Sequence, residues 1–181
     1  AFNQRDVAGI LDMIRTLGAL VGQPAKADAL AASLAARVEA VRAKATGLPR
    51  RPRIYFEEWD EPMISGLGWV SDLVTAAGGI DVFPHLAAQK NAKDRIVGPE
   101  AVIAAKPDII IGSWCGKKFV PAKVAARPGF DQVPAVTTGW LREVKSTTIL
   151  QPGPAALTEG LDALAQIVVE WVENQPPIML G

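Results

Sequence analysis

Four acidic residues and a tryptophan follow the first clear strand of this sequence, RIYFEEWDEP. These residues are Glu57, Glu58, Trp59, Asp60 and Glu61. Side chains at the exit of a strand lie in exposed loops, which often carry function. The carboxylates there can serve an enzyme, orient the polar groups of a ligand, or form salt bridges with Lys117 and Lys118. The choice depends on which other side chains reach the same edge of the sheet.

Two later predicted strands also end beside a tryptophan, in the stretches SWCGKKF and TTGWLRE. Ligands bind beyond the carboxyl ends of strands in open parallel sheets. With Trp69, which opens the helix after the first loop, four of the five tryptophans are expected at this edge as an accessible aromatic platform. The candidate ligand-binding residues are Glu58, Trp59, Asp60, Trp69, Trp114, Lys117, Trp140 and Arg142. Alternatively, Trp69 packs under the sheet and one loop tryptophan closes the rim; Trp171 is predicted to be core.

The charges of the chain balance, with 19 basic and 19 acidic residues among 181. This balance gives no overall electrostatic reason to expect a nucleic acid or an anionic membrane as partner. The charges are nevertheless uneven, because residues 57–61 carry four acids while residues 115–127 carry four cations and no acid. The simplest interpretation is two solvated loops that partly neutralise each other.

Signals for catalysis are weak. His85 is the only histidine and lies in a polar stretch, with no G-x-S-x-G motif in the sequence. Cys115 is the only cysteine, and nearby lysines would favour its thiolate, but no histidine lies in the same loop. No pair of histidines or cysteines has metal-ligand spacing, and no complete phosphate-binding loop is present.

The remaining pattern predicts two N-terminal helices and then alternating strands and helices. Residues 4–21 have helical spacing, with Asn3 as the expected N-cap. A second, alanine-rich helix runs from Pro24 to about Ala45, with a thin stripe of Leu30, Leu34, Val38 and Val41. Strands are predicted at IYFEE, at DIIIG and at PAVTT, and a last helix follows Pro154. The fold class is therefore α/β: a three-layer lobe with a short, mainly parallel sheet, preceded by a long helix.

Three blocks together carry a specific resemblance: EEWDEPMISGLGWVSDLVTAAGG, PEAVIAAKPDIIIGSWCGKKF and GWLREVKSTTILQPGPAALTEGLDAL. They resemble the cobalamin-type substrate-binding proteins of ABC importers, a class that also binds haem and ferric siderophores. The resemblance implies a non-catalytic, periplasmic or extracytoplasmic protein. Its ligand would be cobalamin, another corrinoid, haem or a ferric siderophore, held between two lobes. It also places Trp59, Trp114 and Trp140 on the rim that faces the cleft.

The same resemblance implies that this chain holds only part of such a protein. Residues 1–22 resemble the last helix of a missing N-terminal lobe, residues 23–48 the connecting helix, and residues 49–181 the C-terminal ligand-binding lobe. Family members dock on the permease through a carboxylate of each lobe, but lysines stand where that acid is expected. The docking acid is therefore another residue, with Glu143 as the candidate, or docking differs.

Two alternatives remain open at this stage. One is a small α/β enzyme domain that uses Cys115 or the carboxylates of Glu57, Glu58 and Asp60. The other is an intracellular tetrapyrrole carrier, which would be cytoplasmic, since no signal peptide is visible in this sequence. The apolar stripe of residues 4–21 further predicts a homodimer through this helix, or else its packing against the helix that follows.

Overall fold

Two antiparallel helices form the N-terminal part of the computed structural model, which describes residues 2–176. Helix α1 spans Val7–Leu20 and helix α2 spans Pro24–Ala45. The N-cap of α1 is Asp6, whose carboxylate accepts a hydrogen bond from the Gly9 amide at 2.6 Å. The prediction of Asn3 as N-cap is therefore wrong, because Asp6 stands where its carboxylate reaches a free amide of the first turn.

Helix α2 is continuous over 22 residues, as predicted. Its buried side chains are Ala27, Ala31, Leu34 and Val38. Leu30, which the sequence placed in the apolar stripe, is 43% exposed. Ala31 is fully buried instead. Helices α1 and α2 approach each other closely at Ala27, because a Cβ on Gly18 of α1 would lie only 2.1 Å from the Cβ of Ala27.

Packing of α1 on α2 hides part of the stripe that was expected to drive dimer formation. Ile10 is fully buried and Ile14 is 8% exposed. Leu17, Leu20 and Val21 remain exposed. The inner face of α1 thus packs against the helix that follows, which was the alternative to a homodimer. Large apolar side chains of this helix remain exposed at its C-terminal end.

Within residues 2–176 the sheet contains five short strands: β1 Arg53–Asp60, β2 Met63–Ser65, β3 Ile80–Asp81, β4 Ile109–Gly112 and β5 Leu141–Glu143. Strands β1, β4 and β5 run parallel in that spatial order, and β3 is parallel to the start of β1. Only β2 is antiparallel, pairing with the end of β1. The predicted mainly parallel sheet is confirmed.

Helices cover both faces of this sheet, as the three-layer prediction requires. Ile54 and Phe56 point into one core with α1, α2 and the later long helices, whereas Tyr55 between them points into a second core. The further helices are α3 Gly68–Ala76, α4 Pro84–Ala87, α5 Pro99–Ala105, α6 Pro121–Ala125, α7 Pro134–Thr137, α8 Ser146–Ile149 and α9 Leu161–Glu173. A π-helical turn at Ala156–Gly160 leads into α9. No helix among residues 2–176 is long and apolar enough to cross a bilayer.

The prediction of a strand at PAVTT is wrong, because these residues form α7. Pro134 begins the helix, and the hydroxyls of Thr137 and Thr138 donate to its carbonyl at 3.1 and 2.7 Å. The strand comes later, as β5. By contrast, the predicted face of the last helix is confirmed as core: Leu157, Leu161, Leu164, Ile167, Val168 and Trp171.

The domain boundaries predicted from the resemblance fall between α1, α2 and the sheet-containing part. Residue 1 and residues 177–181, the outer ends of the first and last predicted domains, lie outside the described residues. The boundaries at residues 22 and 48 coincide with the ends of α1 and α2 to within a few residues. The division into pieces of two lobes stays a prediction.

Replacing Gly18 by alanine should lower the free energy of unfolding by about 1–2 kcal/mol. A new methyl group 2.1 Å from the Ala27 Cβ overpacks the α1–α2 contact. Overpacking costs about 1–3 kcal/mol and exceeds the gain in helix propensity, about 1 kcal/mol at most. Urea unfolding measures the difference. Gly153→Ala is the control, since its methyl meets nothing within 4 Å, and equal effects of both changes would contradict the prediction.

Candidate functional site

The carboxyl ends of β1, β4 and β5 lie side by side at one edge of the sheet. Three segments lie at this edge. They are the lip (residues 57–61), which is the last part of β1 with the residue after it, the second loop (residues 113–119), which follows β4, and the third loop (residues 143–147), which begins at the last residue of β5. This is the edge where open parallel sheets bind ligands. It is therefore the candidate functional site.

The expectation of an accessible tryptophan platform is wrong, because three of the four rings are buried. Trp69, Trp114 and Trp140 expose 4%, 3% and 8% of their surface. The indole N–H of Trp69 donates to the carbonyl of Ile149 at 2.9 Å inside the core. Burying a large ring is favourable once its N–H has an acceptor, and the fold supplies that acceptor. Trp59 alone among the four remains half-buried at the rim.

Glu57 is a fully buried carboxylate at the base of the lip. Arg127 donates to both of its oxygens, at 2.6 and 2.9 Å, and the indole N–H of Trp114 donates to Oε1 at 2.9 Å. Burial alone would lower the pKa of Arg127, but the hydrogen bonds and charge of Glu57 raise it above its usual value. Burial, reinforced by the Glu57 charge, raises the pKa of Tyr55 well above normal. This group therefore holds the lip to the second loop and the segment after α6.

Sequence reasoning did not single out Arg127 as a site residue. The available signal was the unbalanced basic stretch that ends at this residue, opposite an acidic stretch. A buried acid requires a paired cation, but the sequence does not tell which of four cations supplies it.

Glu58 was expected to face the ligand or a lysine, and its partner is a different residue. Its carboxylate accepts hydrogen bonds from Arg95 at 2.6 and 3.3 Å. Arg95 is 2% exposed and also donates to the backbone carbonyl of Ser65. Glu58 thus fastens the lip to β2 and to the turn at residues 92–95, while its partly exposed side chain stays at the rim.

Lys117 connects the second loop to the lip. Its Nζ lies 2.6 Å from Oδ1 of Asp60 and 4.0 Å from the centroid of the Trp59 ring. The indole N–H of Trp59 donates to the carbonyl of Glu61 at 2.9 Å. The expected salt bridge across the rim is therefore present for Lys117. Burial of Asp60 opposes its ionisation, but the hydrogen bonds from Lys117 and from the backbone more than offset this and lower its pKa.

The expected third strand exit is only partly correct: Trp140 precedes β5, Arg142 lies within it, and only Glu143 stands at its carboxyl end. The guanidinium of Arg142 lies 4.3 Å from the ring centroid of Trp140, so it covers a tryptophan that is itself buried. Glu143 pairs with Lys145 at 2.7 Å and accepts a hydrogen bond from the Phe119 amide at 3.3 Å. The hydrogen bond from Lys145 lowers the pKa of Glu143. The carboxylate expected to dock on a permease is thus engaged within the chain.

An open depression of about 310 Å³ lies between the second and third loops. Its lining residues are Trp114, Gly116, Lys117, Lys118, Glu143, Lys145, Ser146 and Thr147. Cys115 is exposed on the same loop. His85 is exposed and lies beside Phe83, in another part of the chain. Within residues 2–176, no three His, Cys, Asp or Glu side chains cluster as metal ligands would.

Comparison with known proteins adds a family and a set of similar folds. The family model described as periplasmic binding protein matches residues 1–148. No curated protein matches the sequence significantly. Among solved structures, a possible iron-binding (periplasmic solute-binding) protein from Staphylococcus epidermidis superposes with a TM-score of 0.77 at 20% identity, covering 91% of this chain and 63% of that chain.

Two further structures have described ligands. The periplasmic heme-binding protein RhuT from a Roseiflexus species gives a TM-score of 0.73 at 22% identity, covering 92% of this chain and 65% of that one. The periplasmic vitamin B12 binding protein BtuF of Vibrio cholerae gives a TM-score of 0.71 at 16% identity, covering 96% of this chain and 65% of that one. This chain spans less than two thirds of the length of each of the three.

Replacing Glu57 by glutamine should cost about 3 kcal/mol of unfolding free energy, because it leaves the Arg127 charge without its buried partner. Glutamine keeps the shape and an acceptor for Trp114. The double variant Glu57→Gln with Arg127→Met should lose less than the sum of the single changes. Urea denaturation measures all three, with Glu61→Gln on the exposed part of the lip as control. A loss under 1 kcal/mol for the first variant would contradict a structural role for the pair.

The contribution of Asp60 to stability should disappear at low pH. Its pKa is lower in the folded chain than in the unfolded chain, so its stabilising effect is complete above about pH 4 and is lost as the pH falls through the folded value. The stability difference between the natural chain and Asp60→Asn should be constant near neutral pH and shrink below about pH 4. Unfolding curves from pH 7 to 3 test this. Lys117→Gln should weaken the dependence, and a difference that grows in acid would refute it.

Proposed function

The chain belongs to the periplasmic binding protein family, and we propose that it is the ligand-carrying component of an ABC importer for a metal chelate. The observation that carries the proposal is the lip. Half-buried Trp59 lies against Lys117, which also pairs with Asp60, at the carboxyl edge of a parallel sheet. An aromatic ring fixed among charged groups offers contact area to a large, flat or amphipathic ligand.

The ligand class is inferred from the folds that this chain is similar to. The compared structures include a heme-binding protein and a vitamin B12 binding protein. Cobalamin, another corrinoid, haem and a ferric siderophore share a metal held in a chelating frame. We propose a ligand of this class, and the ligand-contacting side chains of this lobe are then led by Trp59, with Lys117 against its ring.

A cleft between two lobes would give this ligand its second wall. In this proposal residues 49–181 supply the C-terminal wall, residues 23–48 the connecting helix, and residues 1–22 the last helix of the other lobe. The length and continuity of α2 support its role as a rigid connector. So does the exposed apolar end of α1, with Leu17, Leu20 and Val21.

The proposed function is non-catalytic. Each lip carboxylate that an enzyme would use already faces a cation: Glu57 faces Arg127, Glu58 faces Arg95 and Asp60 faces Lys117. A general base has to reach a substrate proton, and these pairs oppose that. Turnover screens with esters and phosphoesters test the enzyme alternative, including one that would use Cys115.

The proposed partner is the permease of the importer, on the outer side of the membrane. Glu143 stays the candidate docking acid. On docking, its carboxylate would leave Lys145 and pair with an arginine of the permease. Asp131 is exposed in the turn at residues 130–132 and is the second candidate. Comparing Glu143→Gln with Asp131→Asn in a permease-dependent uptake assay decides between them.

Self-association through residues 4–21 would use only the exposed end of that helix. Light scattering at micromolar concentration of this 181-residue chain tests it, since a mass near 19.2 kDa would exclude the dimer.

The full-length gene product should bind at least one coloured chelate saturably. Cyanocobalamin, haem and a ferric hydroxamate are the probes, and the shift of their visible absorbance on titration is the readout. Failure of all three to bind would overturn the proposal.

Trp59→Ala should weaken that binding about 10- to 100-fold, as expected for loss of one aromatic anchor. Trp59→Phe should lose less, because it keeps a ring. Phe2→Ala is the control, since it removes another aromatic that is 50% exposed. Equal affinity of Trp59→Ala and the natural protein would remove Trp59 from the site.

A further inference from the structure

We propose that the depression between the second and third loops recognises an anionic oxygen group, such as a carboxylate, of the bound chelate. This inference rests on the proposed function and specifies the chemistry of its ligand. The depression opens at the same sheet edge as Trp59, so one ligand can contact both.

The first support is the balance of charge around the depression. Three lysines and one carboxylate line it. Lys117 is paired with Asp60 and Lys145 with Glu143, at 2.6 and 2.7 Å. Lys118 is exposed and belongs to none of the salt bridges found within residues 2–176. The local charge is therefore positive, although the whole chain is neutral.

The second support is that the depression is open and its walls are held in place. Gly116 has a φ of 70°, and the space where a Cβ would stand contains nothing within 4 Å, so a ligand can approach the backbone there. The buried ring of Trp114 packs edge-on against Phe119, with ring centroids 5.0 Å apart. The adjacent loop is thus fixed from below.

The third support is the kind of donor that surrounds this space. Ammonium groups offer three donors each, and the hydroxyls of Ser146 and Thr147 can add one donor each. Glu143 contributes the only carboxylate of the lining, and Lys145 neutralises it. Carboxylate oxygens accept such bonds, and they gain more from the positive charge near Lys118 than an uncharged amide of a corrinoid does. The positive field would also speed association with an anionic ligand.

The test uses two probes that differ in whether their carboxyl groups are free or esterified. Haem carries two carboxylates, and haem dimethyl ester has the same ring and iron but no carboxylate. Both are titrated into the full-length gene product in the same dilute detergent, with the visible absorbance as readout. We expect haem to bind about tenfold more tightly than its ester, and this preference should fall as salt is raised.

Lysine variants locate the effect. Lys118→Gln should weaken haem binding about threefold and the double variant with Lys145→Gln about tenfold, with little change for the ester. Lys26→Gln is the control, as an exposed lysine on α2 outside the depression. Thermal unfolding of each variant confirms that the fold is kept. Ferric citrate as a competitor identifies the source of the anionic group. If ferric citrate displaces haem, the natural ligand is a carboxylate chelate. If it does not displace haem, the natural ligand is a porphyrin.

The outcomes separate the two proposals. Equal binding of haem and its ester, or lysine variants that bind haem as well as Lys26→Gln does, overturns the anionic subsite while the carrier function stands. Absence of binding by every chelate overturns the carrier function, and the subsite proposal falls with it.

Discussion

The pairing of the Glu57 carboxylate with Arg127 is the constraint on which the candidate site depends. A fully buried carboxylate is tolerated only when a cation and further donors surround it. Arg127 and Trp114 meet this requirement from two other segments. The backbone of Glu57 pairs with the end of β4, since the Ser113 amide donates to its carbonyl at 2.8 Å. One residue therefore aligns the exits of two strands and brings the lip, the second loop and the segment after α6 to a single point.

The acidic run at the lip is consequently not a free negative surface. Side chains alternate in direction along a strand, and successive acids of this run reach different cations. Glu57 reaches Arg127 on the inside, Glu58 reaches Arg95, and Asp60 reaches Lys117. The lip is thereby held on three sides, and the cations that remain without partners set the local charge. An acidic motif in the sequence thus produces a rim that is locally positive near Lys118.

The sequence was sufficient for the parts of the fold that periodicity and proline placement determine. The alanine-rich α2, the apolar strand β4 and the buried face of α9 were predicted correctly. The sequence was insufficient where tertiary contacts determine the local structure or the burial of a residue. The PAVTT segment has strand propensity, but Pro134 and the threonine hydroxyls favour a helical turn. On α2, Ala31 is buried and Leu30 is exposed, and no local pattern in the sequence distinguishes these two neighbouring positions.

The tryptophans show the same limit at the site. Trp59 and Trp114 lie at strand exits as predicted, but Trp140 precedes β5 and Trp69 lies in α3, and the burial of each ring depends on neighbours that the sequence does not identify. The indole N–H of Trp114 donates to Glu57 and that of Trp69 donates to the Ile149 carbonyl, so both buried rings are fixed by a hydrogen bond. Trp59 finds only the carbonyl of Glu61 in its own loop and stays at the rim. Three of the four rings are therefore buried, and in the proposed function contact with a ligand is left to Trp59 and the lysines around it. A site built this way gains little from plasticity, so its selectivity has to come from the shape and charge of groups that are already in place.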